Sequence, residues 1–114
     1  MNIVSLIGSL VHQPELVTDG PGLISCPMQI AVHRHGPRGE LRPGVIYVDV
    51  TAYGDQARRC ANKLQAGHRI GVVGRLERDD SLDPRGPRRS RWEVHADQVE
   101  LIDEWQAHAE GGTG

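Results

Sequence analysis

Two tyrosines on one predicted strand, Tyr47 and Tyr53, carry the most specific chemistry in this chain. Residues at even spacing along a strand share a face. Tyr47, Asp49, Thr51 and Tyr53 therefore look one way, and Val48, Val50 and Ala52 look the other. A tyrosine on the polar face of a strand is a platform on which flat rings can stack. The chain also favours arginine, with twelve of its thirteen basic residues of that type. A guanidinium grips phosphate oxygens in pairs and stacks on rings, whereas an ammonium is a point charge. Arg34, Arg38, Arg42, Arg75, Arg78, Arg88, Arg89 and Arg91, together with His33, fall on elements that can line a groove. Such a groove suits an unpaired polyanion whose bases stack while arginines neutralise its phosphates. Trp92 is a third candidate platform, but it shares a phase with Val94 and Ala96 and fits a core as well. For each arginine a solvated surface is the competing reading, most of all for Arg78, which Glu77, Asp79 and Asp80 surround.

Charge distribution is compatible with that chemistry. The whole chain carries −2, yet residues 1–91 hold every Lys and Arg and come to +4, while residues 92–114 come to −6. A mildly basic body with an acidic end suits an anionic polymer without requiring one. Catalysis finds little support. The phosphate-cradling, nucleophile-elbow and zinc-protease patterns are absent, and Gly67, Gly71 and Gly74 lie along a strand rather than at a strand-to-helix turn. His33 and His35 share a strand face, but no thiol or carboxylate stands at ligand spacing beside them. Neither metal nor cofactor is expected. Cys26 and Cys60 fall on a strand and a helix stripe, so two reduced core thiols are expected, with a disulfide left open.

Placing these side chains is the task of a small β domain. The segment from Val45 to Leu76 reads as strand, helix, strand. Val45 to Tyr53 is β-branched and aromatic, Gly54 breaks it, and Asp55 is a candidate helix cap. Ala57, Cys60, Ala61 and Leu64 form a narrow apolar stripe at helical spacing. Gly67 fits a left-handed helix end, and Ile70 to Leu76 resumes a strand. Earlier, Asn2 to His12 reads as a first strand with Gly8 at a bend, and Leu23 to Arg34 as a second, with Pro27 expected at an edge or bulge. His35 to Gly44 reads as a loop. Glu77 to Pro87 forms the next loop, and Arg88 to Ile102 the last strand. With no Phe and an apolar share of 38%, the core must be aliphatic. No run is long and apolar enough to span a membrane, and the N-terminus lacks a secretory pattern, so a cytoplasmic protein is expected. The order β-β-β-α-β-β predicts an all-β domain with one short helix: an OB-fold, a five-stranded Greek-key barrel with the helix between strands three and four. The domain is expected over 1–102 and a short flexible tail over 103–114, with Trp105 packing on the outside of the fold or on a neighbouring subunit.

Five stretches in order resemble bacterial single-stranded DNA-binding proteins. They are Met1 to Leu10 with Gln13 to Leu16; Ile30 to Arg34; Tyr53 to Ala57; Leu64 to Ile70 with Val73 to Leu76; and Glu93 to Leu101. The resemblance implies an OB-fold that wraps single-stranded DNA in replication, recombination and repair, assembled as a tetramer, a dimer of dimers, with a simple dimer as the other option. It implies base stacking on Tyr47 and Tyr53. The family's loop aromatic after strand two is replaced by His35, Arg38 and Arg42, and its aromatic after strand four by Ser81. The family's acidic Pro-Phe tip has no counterpart, so recruitment of repair proteins through it is not expected, and an accessory, tail-less paralogue is. The alternative is a protein-interaction module similar to primosomal replication protein N. An RNA-binding OB domain would use the same physics.

Overall fold

The computed structural model describes residues 1–79 and 91–103. Along the chain run β1 (Val4–Leu10), β2 (Val17–Asp19), β3 (Leu23–His35), β4 (Leu41–Tyr53), α1 (Gly54–Lys63), β5 (Arg69–Asp79) and β6 (Arg91–Asp103). Strands β1, β5, β6, β4 and β3 are hydrogen-bonded in that order, and β1 also pairs with β3, which closes the ring. The helix lies between the third and fourth strands of that ring. This is the OB-fold expected from the pattern of elements. The short β2 is an addition to it, paired to the outer edge of β3 through Val17↔Ser25 and Asp19↔Leu23. It lies between the first two expected strands, where too few residues alternate for a strand to be seen.

Closure is confined to two places. Strands β1 and β3 meet only at Ser9↔Ala31 and Leu10↔Ile30. The parallel β4–β6 pairing consists of Val50↔Val94 and Thr51↔His95. The long β3–β4 hairpin runs from Ser25↔Tyr53 to His35↔Leu41. Pro27 lies on the β3 edge between the β2 and β1 pairings, where a missing N–H donor is tolerated. Gly8 lies where β3 crosses close to β1, and a Cβ there would be 2.7 Å from the Ala31 carbonyl oxygen.

The core is aliphatic with two thiols. Leu10, Met28, Ile30, Val50, Ala52, Ile70, Val72 and Val94 fill the barrel with Cys26, and Ala57 and Cys60 of α1, with Leu64 just beyond it, plug its end. Both cysteines are free and buried, which decides between the two readings left open. Burial pushes both thiols up, Cys60 to about 11.

Local readings need correction at the helix. Asp55 does not cap it: Tyr53 occupies the N-cap without a side-chain bond, and Asp55 lies in the first turn, where its charge favours the helix dipole. The helix ends at Lys63 with an extended Leu64. Gly67 does adopt positive φ, but in the following turn, where its N–H donates to the Leu10 carbonyl. The segment His35 to Gly44 is less of a loop than expected. Strands β3 and β4 continue through it, and only a tight turn, closed by Gly36 N–H to Glu40 O at 2.8 Å, separates them.

Candidate nucleic-acid interface

The outer face of β3, β4 and β6 is a polar, aromatic surface built by strand alternation. On β4, Val50 and Ala52 are fully buried while Tyr47 is 61% and Tyr53 40% exposed. Opposite Tyr47 stands Ala31, whose methyl leaves the ring uncovered. Tyr53 is more constrained. Its ring meets His95 at 73° with centroids 5.2 Å apart. His95 Nε2 lies 2.7 Å from Glu93 Oε1 and 3.3 Å from the Tyr53 hydroxyl. A ring nitrogen that close to a carboxylate carries the proton, so His95 donates to Glu93. Thr51 donates to the other Glu93 oxygen at 3.5 Å. This explains why Thr51, on the polar face, is only 9% exposed: β6 lays Glu93 and His95 over it.

Two arginines on this surface are held by acids. Arg91 bonds Asp49 Oδ2 at 3.1 Å, and Arg75 lies 3.7 Å from Asp97. Arg75 stands across from His95 on β5, which brings it into the same face. Both pairs are substantially exposed, so each contributes at most about 1 kcal/mol. A phosphate can take either guanidinium without a large cost.

The β3–β4 arm carries a further group beyond the barrel. His33 keeps the phase of Gln29 and Ala31, so it shares Tyr47's face. The register shifts after it, with Gly44 at φ 90° on the facing strand, and Arg34 pairs with Arg42. Those two belong to the strand arm and not, as expected for Arg42, to a loop, and they keep the phase of Ile30 and Val32. Arg38 lies at the tip, its N–H bonded to the Glu40 carboxylate at 3.0 Å.

Trp92 is not brought to the tyrosines. It is 59% exposed, which excludes a core role, yet it keeps the inward phase of Val94. It stands opposite Arg78, whose guanidinium lies 5.6 Å over its ring. The two form a separate cation–π pair on the other side of the β5–β6 arm. Arg88, Arg89, Ser81 and Trp105 lie outside the described residues.

Sequence reading missed His95, Glu93 and Gln29 as members of this surface. Their alternation with Val94 and Met28 was visible, but the parallel β4–β6 register that sets His95 beside Thr51 was not. Among the described residues no group of His, Cys, Asp and Glu is arranged to hold a metal ion, and no helix is long and apolar enough to cross a membrane.

Comparison with known proteins agrees with this geometry. A protein of Clostridium tetani named "Single-stranded DNA-binding protein" is 32% identical over 115 residues, covering 100% of this chain and 79% of the relative. "Single-stranded DNA-binding protein 3" of Clostridium acetobutylicum is 33% identical, with 92% of this chain and 72% of the relative aligned. "Single-stranded DNA-binding protein 2" of Listeria innocua is 30% identical, at 99% and 70%. The family model described as "Single-strand binding protein family" matches residues 1–102, and the chain belongs to that family.

Proposed function

We propose that this protein binds single-stranded DNA without catalysis and protects exposed strands during replication, recombination and repair. The observation that carries the reading is Tyr47: an uncovered ring over Ala31, on the barrel face flanked by Arg91, Arg75 and His33. In OB-folds the second and third barrel strands, here β3 and β4, form the face that takes oligonucleotides. Bases would stack on Tyr47 and, with one edge engaged, on Tyr53. Phosphates would meet Arg75, Arg91 and the arm residues Arg34, Arg38 and Arg42. Trp92 with Arg78 would extend the path along the β5–β6 arm, and Arg88 and Arg89, outside the described residues, are proposed as further phosphate contacts. One domain over residues 1–102 carries this activity, in the bacterial cytoplasm or nucleoid.

Self-association belongs to the same proposal, as a tetramer or otherwise a dimer. Ile3, Ile7, Val73 and Ile102 are exposed large apolar residues on the outside of β1, β5 and β6. Among the described residues, Val4 to Gly8 of β1 pair only with β5, and no described strand pairs with the other edge there. An apolar face beside an open strand edge suits a second copy of the chain. Light scattering is expected to give a multiple of the 12.5 kDa chain mass at micromolar concentration; a monomer mass rejects it.

The experiment that tests the binding reading is a salt titration with a labelled dT oligonucleotide. Affinity falls as salt rises, by roughly −0.7 in the log-log slope per neutralised phosphate, and duplex of equal length binds more weakly. A flat salt response, or equal affinity for duplex, overturns it.

A further inference from the structure

Beside the Tyr47 platform lies a pocket of about 260 Å³ lined by His12, Gln13, Pro14, Pro27, Gln29 and Asp49. At about 30 Å³ per water it has room for roughly nine water molecules, enough for a flat heterocycle. Its walls are preformed. The segment after β1 is tied down by Val11 N–H to the Gln29 carbonyl at 2.9 Å and by the Gln13 amide to the Leu64 carbonyl at 3.0 Å. Pro14 is buried there. Pro27, Gln29 and Asp49 belong to the same outer face as Tyr47. Asp49 is two residues along β4 from Tyr47, roughly 7 Å, so a ring in the pocket neighbours a ring on the platform.

A carboxylate is unexpected on a surface that receives phosphates, and its chemistry defines the pocket. Asp49 Oδ1 accepts from the Gln29 amide at 3.4 Å and Oδ2 from Arg91 at 3.1 Å. A carboxylate has about four acceptor sites and no donor, so capacity remains toward the pocket. The Gln29 side-chain oxygen is a second acceptor beside it, and one N–H of the Gln13 amide is engaged by Leu64. Asp49 and that oxygen are the acceptors of this lining, and Asp49 can only accept. An exocyclic amino group, as on cytosine, adenine or guanine, supplies the donor they need. Thymine turns carbonyl oxygens toward them and offers a single N–H between.

We propose that this pocket is a nucleobase subsite, in which Asp49 accepts from an exocyclic amino group and gives the protein a base preference at one position of an otherwise sequence-independent path. The proposal rests on the single-strand binding reading. Binding of labelled dC and dT oligonucleotides of equal length tests it, because both are pyrimidine strands that differ at this edge. Asp49→Asn presents an amide donor in place of a pure acceptor and lowers the dC-to-dT affinity ratio, roughly fivefold for one lost base contact. The Arg75 guanidinium pairs with Asp97 and not with Asp49, so Arg75→Gln weakens both oligonucleotides alike and leaves the ratio unchanged. Gln29→Met lowers the ratio in the same direction by a smaller factor, and it serves if Asp49→Asn does not fold. An unchanged ratio in both pocket variants, with binding intact, overturns the subsite alone. Failure of the wild type to bind either strand overturns the binding reading itself, and the subsite with it.

Discussion

Tyr53 and His95 meet edge to face, 5.2 Å between ring centroids, across the parallel seam of β4 and β6. Tyr47, six residues earlier on the same face, has only the Ala31 methyl opposite it. The two tyrosines thus do different work. One is tied into a network with His95, Glu93 and Thr51. The other stands uncovered.

Tyr47→Ala is expected to weaken single-strand binding by ~1–3 kcal/mol while leaving the melting temperature nearly unchanged. Tyr47→Phe costs little, because the ring face and not the hydroxyl does the stacking. Fluorescence titration alongside thermal melts checks both. A loss of folding in Tyr47→Ala would mean that the ring supports the barrel.

Tyr53→Ala behaves differently. It removes the His95 edge contact, so stability falls by ~0.5–1.5 kcal/mol as well as affinity. A double-mutant cycle with His95→Ala isolates the coupling. Additive stabilities would show that the ring pair contributes nothing.

Asp97→Asn releases Arg75 from its carboxylate partner. Affinity at low salt rises, and the log-log slope steepens by up to roughly 0.7, one phosphate's worth. Salt titration of the variant against wild type reads this directly. An identical slope would place Arg75 off the strand's path.

Alkaline pH is expected to weaken the fold through its thiols. The buried Cys60 thiol is pushed up to about 11 from 9.0. The folded protein therefore keeps a proton that the unfolded chain releases between those values. Stability is fully present below pH 9 and declines as pH rises toward 11, at up to about 1.4 kcal/mol per pH unit. Denaturant melts across that window, with Cys60→Ala as control, should show a flatter dependence in the control.

Gly74→Ala should be strongly destabilising. A Cβ at Gly74 would run into the His95 carbonyl, where the β5–β6 register shifts between Val73 and Gly74. The outcome is a lower melting temperature and, because His95 moves, a weakened Tyr53 contact.

The barrel was legible wherever alternation ran long. Val48, Val50 and Ala52 against Tyr47 and Tyr53 fixed the faces of β4 by alternation alone, and Ala57, Cys60 and Ala61 of the stripe fixed the buried side of α1, with Leu64 just past its end. The three residues of β2 were too short to show a period. The arm past His33 was hidden because Pro43 and Gly44 read as loop chemistry, while the hairpin absorbs them at a register shift. On β6 the shift near Asp97 reverses the phase, so Val94 and Ala96 face in before it and Val99 after it. A fixed period of two cannot anticipate that. The candidate site was legible as residue types and faces, but not as partners. Asp49 with Arg91 and Tyr53 with His95 depend on which strands become neighbours, and local spacing says nothing about it.

The two short seams that close the ring, Ser9↔Ala31 with Leu10↔Ile30 and Val50↔Val94 with Thr51↔His95, also set the order of events when the chain folds. Hairpins such as β3–β4 form in about 1–10 μs. The seams join residues far apart in sequence and must first overcome loop-closure entropy. Barrels dominated by such pairings reach the native state in roughly milliseconds to seconds. During that interval the unjoined strand edges stay open, and a neighbouring chain can pair with them before the ring shuts. Refolding yield should therefore depend on chain concentration more than on final stability.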